Sequence, residues 1–215
     1  QSLLFNGNNT SNLSDFDQYL NFYKYKFNNN THELGGYSIL KNKNIVMAMD
    51  IGSTPEKTYS ENYQSGPLSF EAIYKGNKII CNSGYFQNHN HKLNRISKSS
   101  VAHSTLIINN KSASTFKKKG GQNILENGLK SFNTNIIFEK NLWSIKSSHN
   151  GYLKEFGTIH ERTLEFLPEL DKFLGKDKLI KKKNFKPTSF EIRFHLVPNS
   201  KVTKTQDNRT VLIEL

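Results

Sequence analysis

The side chains best suited to chemistry in this sequence gather around one histidine. In "KSSVAHSTLIINN", Lys98 to Asn110, polar and small residues give way to Leu106, Ile107 and Ile108, and His103 stands at the mouth of the apolar run. An imidazole there fits three roles: a packed core residue, a metal ligand, or a proton-handling group in a carbohydrate cleft. Two other strand ends add amides. "ENYQSGPLSFE" supplies Asn62 and Gln64 at alternate positions before an apolar strand, and "CNSGYF" supplies Asn82 at the end of its partner. If these ends adjoin in one sheet, amides and imidazole line a common patch suited to sugar hydroxyls and carboxylates, with Tyr85 and Phe86 as stacking surfaces. The competing reading is that the same groups only satisfy strand-end backbone.

Other chemistry is weakly signalled. "NHNH" places His89 and His91 two apart, facing the same way on a strand, but two imidazoles alone make a poor metal site and an Asn-rich loop explains them as well. There is no phosphate-cradling glycine loop ending in Lys-Ser/Thr, no nucleophile elbow and no Cys-x-x-Cys pair, which disfavours a nucleotide enzyme or a serine hydrolase. The single cysteine, Cys81, excludes an internal disulfide framework and reads as a buried strand residue.

Charge narrows the partners. The 215 residues carry a formal charge of +12, which points to a polyanion: nucleic acid, an anionic surface or an acidic polysaccharide. The positive charge is mostly lysine in a chain also crowded with Asn, so a shared compositional bias explains part of it. The interleaved basic and aromatic pattern of single-strand binders is absent, which ranks nucleic acid last. No apolar run approaches the ~20 residues needed to cross a bilayer, so no membrane partner is expected.

The elements that must position these residues are mostly strands. "SDFDQYLNFYKYKF" is the one segment that reads as a helix, with Ser14 as N-cap and Phe16, Tyr19, Leu20, Tyr23 and Phe27 near helical spacing. From Gly36 onward the chain is a series of short β-rich runs: "GYSILKN", "NIVMAMDIG", "PLSFEAIYKGNKIICNSG", "STLIINN", the long stretch from Asn133 to Leu167, "SFEIRFHLVP" and "TVLIEL". Lys75-Gly76-Asn77-Lys78 and Asn150-Gly151 suit tight turns. The lysine runs 117–119 and 181–183 read as exposed loops. His160 and Arg162 alternate with Glu161 and Thr163, on the face shared with Leu164 and Phe166, and read as amphipathic side chains at a sheet edge. The pattern predicts an all-β, antiparallel β-sandwich with one short N-terminal helix.

The wording of several ordered blocks adds a resemblance. "MDIGS", "NYQSGPLSFEAIYKGNKIICNSG", "SKSSVAHSTLIINNKSAS", "SSHNGYLKEFGTIHERTLEF" and "FEIRFHLVP" resemble, in order, the C-terminal β-sandwich of the heparinase II/III-like family of bacterial polysaccharide lyases. "LLFNG" near the start resembles the segment joining that sandwich to an upstream helical domain. The resemblance implies a lyase-type supersandwich over 36–215, with 1–35 as linker and short helix from an upstream α/α toroid of the same chain. It further implies β-elimination on acidic, uronic-acid polysaccharides of heparan or alginate type, in the periplasm or envelope of a bacterium, with little activity without the toroid. A non-catalytic carbohydrate-binding or structural sandwich is the alternative.

The resemblance also assigns residues. The proton at C5 of a uronic acid is poorly acidic, so a donor must stabilise the enolate while other groups move protons. In the family the sandwich contributes a histidine across the cleft; here that histidine falls at Asn62 or Gln64, which transfer no proton. Some members hold zinc at positions matching Gln64, Asn82 and His103. With His103 the only retained candidate ligand, no tight zinc site and no cofactor are expected. Lys98, where relatives often carry Arg, and nearby Arg95 are expected to pair with substrate carboxylates. His160, Arg162 and His195 are expected to organise the sheet.

Overall fold

The computed structural model describes residues 13–25, 32–182, 184–187 and 189–215, with side chains described from Gln18 onward. "LLFNG" and Phe27 lie outside the described residues. The predicted helix forms as α1, Leu13–Phe22. It closes with Lys24 in the left-handed region (φ 55°), which lets the Tyr25 N–H reach back to the Leu20 carbonyl at 3.0 Å.

Fifteen strands follow among the described residues. β1 (Glu33–Leu34), β2 (Tyr37–Lys41), β3 (Ile45–Asp50), β4 (Phe70–Tyr74) and β5 (Asn77–Ile80) make an antiparallel meander in chain order. After β6 (Leu106–Ile108) come the hairpin β7 (Thr115–Lys119) and β8 (Gln122–Asn127). A second meander comprises β9 (Ser131–Phe138), β10 (Trp143–His149), β11 (Thr158–Leu167) and β12 (Lys172–Lys181). β13 (Phe190–Ile192) pairs with β6, and β14 (Lys201–Lys204) with β15 (Val211–Glu214).

The two meanders pack face to face, as an antiparallel sandwich requires. Leu40, Met47, Met49, Phe70 and Ala72 of the first meet Trp143, Ile145, Leu164 and Phe166 of the second in one buried cluster, and Phe70 stacks on Phe173 at 5.6 Å. Each such side chain contributes about 1.5–3 kcal/mol on burial. A second cluster joins Leu106, Ile108, Ala113, Leu129, Tyr152 and Phe156, seating β6 against the far end of the second sheet.

Several local expectations change. Lys117–Lys119 is not a loop but β7, an exposed strand whose pairing with β8 needs no apolar face. Lys181 ends β12, and Lys183 lies outside the described residues. Two further short helices occur, α2 (Lys92–Ser97) and α3 (Leu153–Phe156). His91 caps α2, its Nδ1 accepting the Leu93 N–H at 3.2 Å. The turn between β4 and β5 takes positive φ at Lys75 and Gly76, as a two-residue hairpin demands. Asn150-Gly151 is not a hairpin; it leads into α3, and glycine is needed at 151 because a Cβ would lie 2.6 Å from the Ala113 carbonyl oxygen. His160 and Arg162 are not at an edge, since β11 lies between β10 and β12.

Candidate functional site

The segment from Ser60 to Ser69, which feeds β4, splits the predicted polar residues into two groups. Gln64, Asn82 and His103 are buried, at 3%, 1% and 1% exposure. The His103 ring presses on the Gly66 backbone so closely that a Cβ there would sit 2.9 Å from its Cγ. Asn82 meets the next residue along, its Oδ1 accepting the Ser104 N–H at 3.4 Å, while its Nδ2 donates to Glu71 Oε1 at 3.4 Å. Thr105 Oγ1 donates to the Pro67 carbonyl at 2.7 Å and laces the two segments together. Asn62, by contrast, is exposed and faces an open cleft.

The zinc that the resemblance implies for some relatives does not fit these side chains. Neutral amides are weak partners for a transition metal, and among the described residues no group of three or more His, Cys, Asp or Glu is placed to hold one. Burial, with the nearby His195 ring, instead holds the His103 imidazole down to about 4, so it is neutral at physiological pH. Neither of its ring nitrogens has a partner at hydrogen-bond geometry among the described residues.

The two predicted cations separate as well. Arg95 sits exposed on α2. Lys98 is fully buried, at 0% exposure, and its ammonium donates to the carbonyls of Ser60 (3.4 Å), Glu61 and Asn123 (2.8 Å) with the Phe116 ring 4.9 Å away. Burial pulls its pKa down to about 8. Its donors therefore brace the chain just before Asn62 against β8.

The cleft that Asn62 faces has a volume of about 420 Å³ and a glycine floor of Gly35, Gly36 and Gly52. Tyr37, Tyr59 and Tyr63 wall it, and Asp50 stands at the end of β3. Burial pushes the Asp50 carboxyl up to about 7, against a lowering hydrogen bond from the Gly52 N–H to Oδ1 at 3.0 Å. Burial and the neighbouring Asp50 charge also push the Tyr63 phenol above its ordinary value, so it stays protonated. The set offers an amide donor, phenol donors and a carboxyl that exchanges its proton near neutrality. Sequence reasoning missed Asp50 and Tyr63. Asp50 ends an apolar strand and looks like any strand-end polar residue, and Tyr63 hides between the two amides.

The second sheet carries a continuous polar chain. The Gly151 N–H donates to His149 Nδ1 (3.1 Å), which leaves the proton on Nε2 to donate to His160 Nδ1 (3.0 Å), and His160 Nε2 in turn donates to Asp177 Oδ1 (2.6 Å). Arg162 grips both Asp177 oxygens (2.8 and 3.0 Å) and reaches across the sandwich to the carbonyls of Leu68 (2.9 Å) and Ser104 (2.6 Å). His195 Nε2 donates to the Val101 carbonyl at 2.9 Å. His160 and Arg162 thus link β11 to β12 and to the facing segments, and His195 holds the segment around Val101, so all three organise the sandwich, as expected.

The antiparallel sandwich is the fold of the C-terminal part of heparinase III. The chain belongs to the heparinase II/III-like family: residues 29–215 match its C-terminal domain. Among solved structures it is similar to a heparan sulfate lyase HepC mutant from Pedobacter heparinus, at 16% identity and a TM-score of 0.71, covering 98% of this chain and 34% of that one. It is also similar to heparinase III, at 18% identity and a TM-score of 0.65, covering 97% of this chain and 35% of that one. The chain thus spans about a third of the length of these structures. No curated protein matches it in sequence.

Proposed function

We propose that this domain forms one wall of the cleft of a polysaccharide lyase that cleaves uronic-acid polymers by β-elimination, with the facing wall and the proton-transferring groups supplied by a helical domain of the same protein. The observation that carries this reading is the exposed Asn62, held beside Tyr63 and Asp50 on the rim of an open cleft. An amide donor there stabilises the charge that develops on the sugar carboxylate as the C5 proton leaves, without moving a proton itself. Family membership supports a polysaccharide as substrate, and the family's heparan sulfate lyases make heparan-type chains the first to test, with alginate second.

The test is growth of the conjugated-alkene absorbance when the full-length protein, this domain alone and the full-length Asn62→Ala variant meet heparan-type and alginate chains. Full-length protein is expected to turn over at least one polymer, the domain alone none, and the variant to lose about 10²-fold in kcat, the loss typical of one oxyanion donor. Equal rates for domain and full-length protein would sink the division of labour. Binding without cleavage by the full-length protein would make the domain a carbohydrate-binding module instead, a result that the lack of a proton-transferring group at position 62 already makes worth testing for.

A further inference from the structure

We propose that Asp50 is the specificity group of the cleft, donating a hydrogen bond from its carboxyl to the carboxylate of a uronic-acid residue bound there; this rests on the cleft reading above. Its position is rigid. The Asp50 N–H donates to the Ser69 carbonyl and the Leu68 N–H donates to the Asp50 carbonyl, both at 2.9 Å, so the backbone is tied on both sides. One side-chain oxygen, Oδ1, accepts from the Gly52 N–H at 3.0 Å, and the carboxyl lines the open cleft.

The surroundings decide which ligand the carboxyl can meet. Asp50 is the one ionisable group among the cleft-lining residues other than the phenols of Tyr37 on β2, Tyr59 of the 57–59 turn and Tyr63 of the loop before β4, and no lining residue carries a positive charge. In a chain of +12 that is a specific exclusion. An ionised Asp50 would repel an entering carboxylate at contact distance. A protonated one becomes a donor, and the acid–carboxylate pair shares one proton between two oxygens. Burial already places the carboxyl near the midpoint of its titration at neutrality, and a substrate anion alongside raises it further. Near neutrality the cleft then takes up a fraction of a proton with each uronate, rising toward one above about pH 7, and none with a neutral sugar.

The experiment uses the full-length protein and two probes with no sugar leaving group at O4: the methyl glycoside of a uronic acid and the same glycoside with its carboxyl reduced to an alcohol. Affinities are read by NMR titration between about pH 6 and 9, where a single linked proton makes affinity fall up to tenfold per pH unit above the free-state pKa. Wild type is expected to show that fall for the uronide and a flat profile for the neutral glycoside. Asp50→Asn, whose amide still accepts from Gly52 and still donates, is expected to bind the uronide with a flat profile and an unchanged circular dichroism spectrum. A flat wild-type profile, or the same fall in Asp50→Asn, overturns the role of Asp50 while leaving the cleft reading intact. Failure of wild type to bind either glycoside at any pH overturns both.

Discussion

Lys98 shows how a residue type is legible in a sequence while its job is not. The family resemblance, which puts Lys98 where relatives often carry Arg, implies a cation for substrate carboxylates; in the fold its ammonium is enclosed by three backbone carbonyls and two aromatic rings. What sequence cannot show is that Ser60, Glu61 and Asn123, far apart along the chain, bring their carbonyls to one point. Lys98→Met keeps the stem and removes the donors, leaving buried acceptors at about 1–3 kcal/mol for each one left unsatisfied. The expected result is a loss of about 3 kcal/mol in urea denaturation. Because the folded-state pKa of about 8 lies below the ordinary value, the unfolded chain binds more protons between about 8 and 10.5, so wild-type stability rises with pH across that window. The Met variant lacks this rise, and identical pH profiles for the two proteins would show that Lys98 is not buried as described. His103 is the opposite case: strand ends alone suggested that it shares a patch with Asn62, Gln64 and Asn82, whereas its burial against Gly66 without hydrogen-bonding partners depends on packing that no local pattern encodes.

At the scale of elements, legibility followed burial. β2, β3, β4, β10 and β11 carry continuous or alternating apolar runs because one or both faces are covered, and all were readable. β7 and most of β12 are exposed ribbons whose lysines face water, so they lacked a period to detect. The joining of β10, β11 and β12 by His149, His160, Arg162 and Asp177 has a measurable acid signature. Burial holds both histidines below their ordinary value, with His149 well below it and the Arg162 charge adding to the effect. Below about pH 6.5 the unfolded chain therefore binds more protons than the folded one, and stability falls as pH drops by up to about 1.4 kcal/mol per unit for each histidine. His103 adds to this down to about 4. Asp177 enters later: burial alone raises its pKa, but hydrogen bonds from His160 and Arg162 outweigh that and bring it down to about 2, so its contribution is present above 3.8 and lost as pH falls toward 2. His160→Gln should flatten the fall of the urea midpoint below about pH 6.5, where the folded histidine takes up its proton later than the unfolded one. An unchanged slope would mean that His160 already carries a proton in the native state.

On the scale of the whole molecule, the charge of +12 and the cleft's lack of cations pull in different directions. The overall class was legible: short strands and turn residues point to a sandwich, and motif order points to the family. The distribution of charge was not, because it depends on which lysines the fold gathers. It puts three on β7, next to Phe116, whose ring lies 6.2 Å from the Tyr63 ring of the cleft wall, and none of Lys117, Lys118 and Lys119 lines the cleft. A polyanion would then be steered by the hairpin and discriminated by Asn62 and Asp50. Each cation that neutralises a charge on a polyanion adds about 0.7–0.9 to the slope of log affinity against log salt. Replacing Lys118 and Lys119 by Glu should lower that slope for a heparan-type chain by about 1.4–1.8 while leaving the affinity for a single methyl uronide unchanged, since neither lysine lines the cleft. The contrast separates steering from recognition. If the double variant weakened the uronide as much as the polymer, the lysines would belong to the cleft; if it left both untouched, the positive charge would act diffusely and the hairpin would have no special part in capture.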